Sequence, residues 1–231
     1  MAITPILAMT AAEMQNFNTL PSKIAWMACH FSSSGPSLSN LPEKLPAGSL
    51  LILDDSTPIH GHDPELIRNQ LAQFDADAVL LDFQRPDHDE TTQLVNSLSE
   101  SLPCPVIVSD LYGKGNTLPV FLPPVPPSVS LQEWFSPWQG RQIWLDIAPS
   151  CEILRLTEHG CQICDADILI SDNPAFTDEI LHCHYQILPG EDHMDFVLWR
   201  TTEDLKDLLS EAEALGIQNA VGLWQELEGF R

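Results

Sequence analysis

Basic side chains are scarce in this sequence of 231 residues. Its 10 lysines and arginines stand against 33 aspartates and glutamates, so the formal net charge is −23. Nucleic-acid phosphates and anionic lipid headgroups both attract cationic surfaces, so this balance argues against nucleic acid and membrane surfaces as partners. An acidic surface mainly confers solubility. We therefore expect a soluble acidic protein.

Long apolar runs and a targeting segment are also missing. No stretch is long enough to span a bilayer. The apolar segment Ile3–Met9 is too short for a signal peptide, and no positive charge precedes it, because the first lysine is Lys23. We expect a cytoplasmic protein, although a chain from which a leader had been removed would look the same.

Cysteine is too dilute for a disulfide scaffold, with 6 in the whole chain. Cys161 and Cys164, followed later by His182 and His184, have some of the character of a zinc site. However, residues three apart on a strand point to opposite faces, and Asp165 follows where a zinc knuckle carries glycine or a basic residue. We expect buried structural cysteines here, no bound metal and no cofactor.

Several motifs of well-known enzyme classes are absent. No glycine fingerprint follows the first predicted strand, which weakens a dinucleotide-binding fold. There is no Gly-x-Ser-x-Gly elbow and no Walker loop, so acyl transfer by an elbow serine and P-loop chemistry have no support. His60 and His62 lie near Asp54 and Asp55 in a pattern that can bind divalent metals, but a polar loop before the helix cap Asp63 is favoured.

What the sequence does contain is an alternation of largely apolar strands with amphipathic helices. Strands buried on both faces are typical of a parallel sheet covered by helices. We predict a small (β/α)8 TIM-type barrel of the α/β class as a single domain over residues 1–231, with an open doubly wound sheet as the alternative. The eight predicted strands are Ile24–Phe31, Leu50–Asp55, Ala78–Phe83, Pro105–Asp110, Pro119–Leu122, Gln142–Ala148, Phe196–Trp199 and Ala220–Trp224.

Two irregularities are predicted within this barrel. The link Gly113–Thr117 is too short for a crossover helix, so the repeat is incomplete around strands 4 and 5. Residues 152–188 are predicted to be an insertion between strands 6 and 7. It begins with a β-hairpin, Glu152–Thr157 and Cys161–Ile163, and has Ile168–Ser171 and Tyr185–Leu188 as further candidate strands.

Polar side chains gather at the carboxyl ends of the predicted strands. Asp82 and Gln84 are two residues apart, so they should face the same side. In a barrel of parallel strands, that end is where ligands bind. Aspartates there often cap the next helix, but the set as a whole favours a functional mouth in which neighbouring acids raise each other's pKa. Further residues at these ends are His30, Asp54, Asp55, Asp110, Tyr112, Asp146, Arg200, Trp224 and Glu226.

Residues 77–84, with the sequence DAVLLDFQ, resemble the strand motif D-G-x-D-x-D-x-E of the family 18 glycoside hydrolases, the chitinase-like barrels. Asp77 and Asp82 match the first and third aspartates. Leu80 replaces the second aspartate, and Gln84 replaces the catalytic glutamate. Residues 220–225, AVGLWQ, are similar to the closing strand of that family, which ends in a tryptophan beneath the sugar.

The resemblance implies a sugar-binding cleft more directly than it implies hydrolysis. In the family the glutamate protonates the glycosidic oxygen and the substrate's own acetamido group attacks, held by the preceding aspartate. A glutamine cannot give that proton, and losing a general acid costs about 10²–10⁴-fold in rate. We therefore predict a glycan-binding, hydrolase-like protein that is catalytically impaired, whose partner is a carbohydrate or another small polar ligand. Asp82 and Gln84 occupy the catalytic positions, and the predicted substrate-binding residues are Asp54, Asp110, Tyr112, Asp146, Trp224 and Glu226.

Two other functions stay open at the level of sequence. One is an active barrel hydrolase that uses another acid, such as Asp110, Glu90 or Glu226, or a metal. The other is a non-enzymatic scaffold whose inserted hairpin serves association. The sequence gives neither the substrate nor the oligomeric state.

Overall fold

A computed structural model of the chain describes residues 3–15, 21–59, 61, 63–85, 89–164, 174–227 and 230. In chain order its strands are β1 (Ile6–Met9), β2 (Ile24–Phe31), β3 (Leu38–Ser39), β4 (Leu50–Asp54), β5 (Ala78–Asp82), β6 (Val106–Ser109), β7 (Val120–Leu122), β8 (Ile143–Asp146), β9 (Cys151–Thr157), β10 (Gly160–Cys164), β11 (Phe176–Asp178), β12 (Cys183–Pro189), β13 (His193–Trp199) and β14 (Asn219–Leu223). Its α-helices are α1 (Ala11–Met14), α2 (Pro64–Leu71), α3 (Asp89–Ser101), α4 (Asp110–Gly113), α5 (Leu131–Phe135) and α6 (Thr202–Ala214), and a 3₁₀ turn covers Ser136–Trp138.

Eight parallel strands close into a barrel in the order β1-β14-β8-β7-β6-β5-β4-β2. The barrel closes because β1 pairs with both of its ends. Ile6 lies opposite Val221 of β14, and Leu7 lies opposite Ile24 of β2. The short strand β3 pairs antiparallel with His30 and Phe31 at the end of β2, beyond the part of β2 that pairs with β1. The prediction of a TIM-type barrel is confirmed, and the open doubly wound alternative is wrong because the sheet has no free ends.

One of the predicted barrel strands was wrong. Phe196–Trp199 belongs to β13, which pairs antiparallel with β9 and β12 outside the barrel. Val197 and Leu198 are buried on opposite faces of β13, at 1% and 6% exposure, which gives this segment the apolar pattern of a barrel strand. The missing barrel strand is β1 (Ile6–Met9), so the inserted sheet lies between the seventh and eighth barrel strands, β8 and β14.

The inserted segment forms a five-stranded antiparallel sheet in the order β10-β9-β13-β12-β11. The predicted hairpin is present as β9 and β10, with Thr157 opposite Gly160. The predicted strand Tyr185–Leu188 lies within β12, whereas Ile168–Ser171 falls outside the described residues. This insertion is therefore a sheet rather than a single hairpin.

Arg200 joins the inserted sheet to the barrel. Its position at a predicted strand end placed it at the mouth, and that prediction is wrong. Arg200 is 3% exposed, and its guanidinium donates to the backbone carbonyls of four residues in two separate segments. A guanidinium suits this junction because it has five N–H donors in a fixed plane. The acceptors are Val125 and Pro126 after β7, and Leu181 and His182 before β12.

The incomplete repeat that was predicted around barrel strands 4 and 5 is the short connection between β6 and β7. Their crossover contains only α4, a helix of four residues. Gly113 ends this helix against β7 and the tryptophan of the 3₁₀ turn, where an added Cβ would stand 2.8 Å from Val120 Cγ2 and 3.0 Å from Trp138 Cζ3. The glycine thus allows the close approach that this short connection needs.

The helix before the last barrel strand shows how local sequence fixes an element. Thr201 caps α6, and it exchanges hydrogen bonds with Asp204 in a capping box. Gly216 follows the helix with a φ of +84°, a conformation that favours glycine. The buried stripe of α6 is Leu205, Leu208, Leu209 and Ala212.

The interior of the barrel is filled by one cluster of buried apolar side chains. Its members are Ala8, Ala25, Leu50, Ile52, Ala78, Leu80, Ile107, Phe121, Trp144 and Val221. Because all eight barrel strands contribute, these side chains point toward the barrel axis. Among the described helices, none combines the length and apolar character needed to cross a membrane.

Candidate functional site

Three aspartates form the next inward-facing positions at the carboxyl ends of the barrel strands. Asp54, Asp82 and Asp146 each follow by two residues an interior side chain, so strand alternation points them toward the barrel mouth. All three are half-buried. Asp54 lies opposite Asp82 in register, and His30 of β2 lies opposite Asp54, so three polar residues stand side by side on adjacent strands.

Asp82 and Gln84 are in direct contact at this mouth. The Gln84 Nε2 atom donates to Asp82 Oδ1 at 2.5 Å. Gln84 is exposed, and its Oε1 atom has no hydrogen-bond partner among the described residues. The amide therefore holds the carboxylate and still presents polar atoms to anything that enters the mouth.

Asp55 holds the backbone on which Gln84 sits. Its side chain is 4% exposed, and its carboxylate accepts the N–H of Gln84 at 3.0 Å and the N–H of Arg85 at 2.9 Å. The Arg85 guanidinium reaches back to the Ser56 carbonyl at 2.6 Å. From the sequence, Asp55 is only one more acid at a strand end. The partners of its carboxylate lie about 30 residues away, so local spacing does not reveal them.

Tyr112 lies beneath this loop rather than at the mouth. It is buried, and its ring packs edge-on against Phe83 with centroids 6.0 Å apart. Its hydroxyl donates to the Arg85 carbonyl at 2.9 Å. The predicted substrate-binding residue Tyr112 is thus placed in the outer core, where it supports the segment that carries Gln84.

The remaining predicted site residues follow the ends of β6 and β14. Asp110 is the first residue of α4 and is half-buried. Trp224 comes directly after β14, is half-buried, and its backbone N–H donates to the Ala8 carbonyl at 3.0 Å. Glu226 is exposed in the turn that follows.

Sequence reasoning missed a contact at the end of β1. Glu13 in α1 accepts from the Thr10 N–H at 2.6 Å, and its other oxygen accepts from Gln225 Nε2 at 2.5 Å. This links the segments that follow β1 and β14. The spacing of Thr10 and Glu13 is that of a capping box, a signal that identifies Glu13 but not its distant partner.

The carboxyl groups of the mouth affect one another's protonation. Burial raises the pKa of Asp82, and the charges of Asp54, Asp55 and Asp110 raise it further, against the opposing hydrogen bond from Gln84. Burial also raises the pKa of Asp146, with the charges of Asp82 and Glu226 adding to it, to about 7. Asp146 is therefore partly protonated at neutral pH.

Among the described residues, no group of three or more His, Cys, Asp or Glu side chains is placed so that it could hold a metal ion. The pair His60 and His62 falls outside the described residues. Of the cysteine–histidine group considered for zinc, His182 binds Glu211 at 2.9 Å and His184 binds Asp204 at 2.9 Å.

A cavity of about 280 Å³ opens at the opposite, amino end of the barrel. Its polar lining includes the ion pair between Lys23 and Asp77, whose Nζ and Oδ2 atoms are 2.8 Å apart, and Asn219 at the start of β14. None of the predicted site residues lines it. In parallel barrels the carboxyl end carries function, whereas the amino end contributes to stability, so the mouth is the better candidate.

Comparison with solved structures identifies relatives in fold. A family 18 N-acetylglucosaminidase from Paenibacillus barengoltzii matches 99% of this chain and 98% of its own, with a TM-score of 0.63 and 10% identity. A mutant GH18 chitinase from Cycas revoluta in complex with (GlcNAc)4 matches 98% of this chain and 97% of its own, with a TM-score of 0.59 and 8% identity. A chitinase from Chromobacterium violaceum matches 98% of this chain and 96% of its own, with a TM-score of 0.55 and 10% identity.

These likenesses confirm the resemblance at the level of fold: the chain has the barrel of the family 18 chitinase-like enzymes. No protein-family model matches the sequence. No curated protein matches it either. At identities near 10%, the similarity shows the fold and not the activity.

Proposed function

We propose that the mouth of this barrel binds a carbohydrate, an oligomer of N-acetylated amino sugars, and that catalysis is impaired because Gln84 stands where the resemblance expects the acid. The observation that carries the proposal is the hydrogen bond of 2.5 Å between Gln84 and Asp82, at the carboxyl end of a barrel with this fold. Related barrels hold (GlcNAc)4 and allosamidin in their solved structures, which supports a sugar as the ligand class.

The chemistry of the mouth suits the binding of a neutral polyol. Carboxylates accept hydrogen bonds from sugar hydroxyls, and the Gln84 amide can both donate and accept. The concentration of acids at the mouth disfavours anionic ligands such as phosphates. Trp224, after the last strand, offers an aromatic ring of the kind on which sugars stack.

Impairment follows from the chemistry of an amide. Protonation of a leaving oxygen needs a group that can release a proton near neutral pH, and the amide of Gln84 cannot do so. Asp82 keeps the place of the orienting carboxylate, where Gln84 Nε2 holds one of its oxygens. The site can therefore position a sugar without completing hydrolysis through residue 84.

Isothermal titration calorimetry with (GlcNAc)4 tests the binding. We expect measurable affinity for the wild type and at least a tenfold loss in Asp82→Ala. The matched control is Asp75→Ala, because Asp75 is exposed and lies before β5, away from the mouth. If the wild type has no affinity for (GlcNAc)4, or if both variants bind as it does, the proposal is wrong.

A further inference from the structure

Asp146 differs from Asp54, Asp55 and Asp82 in the hydrogen bonds that its carboxyl accepts. Asp54 accepts from the Ser56 N–H at 2.8 Å, Asp55 from two backbone N–H groups, and Asp82 from Gln84. Among the described residues, the sole donor acting on the Asp146 carboxyl is the backbone N–H of Ile147. That N–H also donates to the Val221 carbonyl at 2.8 Å, so it compensates little of the lost hydration.

The charges that face Asp146 are also unfavourable to its ionised form. Asp82 faces it from β5, and Glu226 faces it from the turn after β14. The neighbouring strand β7 contributes Val120, Phe121 and Leu122, which carry no charge. In the part of the chain that the structure describes, no basic side chain lowers the pKa of Asp146.

A half-buried carboxyl with acidic neighbours and little hydrogen bonding is more stable when it keeps its proton. The consequence is a change in chemical role. An ionised carboxylate can accept hydrogen bonds and cannot donate them, whereas a neutral carboxylic acid has an O–H to donate. A protonated Asp146 can thus donate a hydrogen bond to an acceptor oxygen on a ligand.

We propose that Asp146, in its protonated form, donates a hydrogen bond from its carboxyl O–H to an acceptor oxygen of the bound sugar that carries no hydrogen of its own. The carbonyl oxygen of an N-acetyl group is such an acceptor, and ionised carboxylates repel it. Asp146 then contributes to the binding of an N-acetylated sugar through that oxygen. This inference rests on the proposed sugar-binding function of the mouth.

The affinity for (GlcNAc)4 as a function of pH tests the inference. We expect wild-type binding to weaken at least tenfold between pH 5.5 and pH 8.5, because Asp146 loses its donor as it ionises. Asp146→Asn keeps an N–H donor that does not ionise, so its affinity should change with pH much less than that of the wild type. His30 also faces the mouth and is present in both proteins, so the difference between the two pH profiles reports on Asp146.

Asp75→Asn, at an exposed aspartate, is the matched control and should retain the pH dependence of the wild type. The protonation of Asp146 in the ligand-free protein is measured separately, by ¹³C NMR of the carboxyl signal that disappears in Asp146→Asn. That signal should titrate near pH 7, and titration near pH 4 overturns the inference. Measurable wild-type affinity that does not change with pH overturns it and leaves the proposed function standing, whereas no affinity at any pH overturns both.

Discussion

The side-chain amide of Gln84 and the carboxylate of Asp82 lie in direct contact, with 2.5 Å between Nε2 and Oδ1, at the carboxyl end of β5. The two side chains meet because residues two apart in an extended segment point to the same side, and Gln84 follows the last residue of β5 by two positions. In the chitinase-like motif these positions hold an orienting aspartate and a proton donor. Here the second position binds the first and has no proton to give.

Gln84→Glu should create activity if the rest of the mouth is intact. A carboxyl at position 84 would lie against Asp82, whose negative charge raises its pKa and helps it act as an acid near neutrality. We expect turnover of an aryl chitobioside to rise about 10²–10⁴-fold over the wild type, the usual contribution of a general acid. Gln84→Ala, which also breaks the contact with Asp82, should show no gain. Equal turnover in all three proteins would contradict the assignment of residue 84.

Asp55→Ala should destabilise the fold, because it removes the carboxylate that accepts the backbone N–H groups of Gln84 and Arg85. Hydrogen bonds to a charged group contribute about 1.5–3 kcal/mol each, so we expect the free energy of unfolding to fall by about 2–4 kcal/mol. Urea denaturation followed by circular dichroism measures the change. The exposed Asp75→Ala should change stability by less than about 0.5 kcal/mol. An equally small effect for Asp55→Ala would show that its carboxylate does not hold the Gln84 segment.

Asp146→Asn should alter how stability depends on pH. The pKa of Asp146 is raised from 3.8 to about 7 in the folded protein, so the unfolded chain loses this proton first as the pH rises. The contribution of Asp146 to stability is therefore fully present below about pH 4, falls between pH 4 and pH 7, and stays low above it.

The asparagine variant cannot ionise, so its stability relative to the wild type should increase across that range, by at most about 4 kcal/mol. Urea denaturation of both proteins at pH 4.5, 6 and 8 measures this difference. A constant difference between the two proteins at all three values would contradict the raised pKa.

Arg200→Lys should destabilise the junction between the inserted sheet and the barrel. A lysine has one nitrogen and cannot reach all four carbonyls that the guanidinium contacts, and unsatisfied buried polar groups cost about 1–3 kcal/mol each. We expect a loss of about 2–4 kcal/mol in the free energy of unfolding, measured by urea denaturation. Arg68→Lys is the matched control, because the Arg68 side chain is 35% exposed and lies 3.5 Å from Glu65 on the surface of α2, and it should be nearly neutral. A neutral Arg200→Lys would mean that the junction does not depend on the guanidinium.

Seven of the eight barrel strands could be predicted from the sequence, because apolar runs bounded by turns indicate buried strands. The exception is that β1 was missed and a segment of β13 was predicted in its place. Each of these two errors has a physical reason. β1 has only four residues, and Ile6 and Leu7 are half-buried, so it lacks the signal of a core strand. β13 carries that signal because Val197 and Leu198 are buried on opposite faces, although its neighbours are antiparallel strands.

The shared face of Asp82 and Gln84 was also predictable, since it depends on local alternation. The roles of Asp55 and Arg200 were not, because their partners are distant in sequence. Asp55 meets backbone N–H groups about 30 residues away, and Arg200 reaches carbonyls up to 75 residues away. Strand-end position alone does not distinguish a residue that faces the mouth from one that supports the fold.

The most direct test of the proposed sugar site is NMR of the ¹⁵N-labelled wild type during addition of (GlcNAc)4. Signals of single residues distinguish binding at the mouth from binding at the cavity at the amino end of the barrel. We predict that the largest shift changes occur at the backbone amides of Gln84 and Glu226 and at the indole N–H of Trp224. The amides of Lys23, Gly48 and Asn219, which line the amino-end cavity, should not shift. Changes confined to those three amides, or no change at any concentration, would contradict a sugar site at the carboxyl ends of the strands.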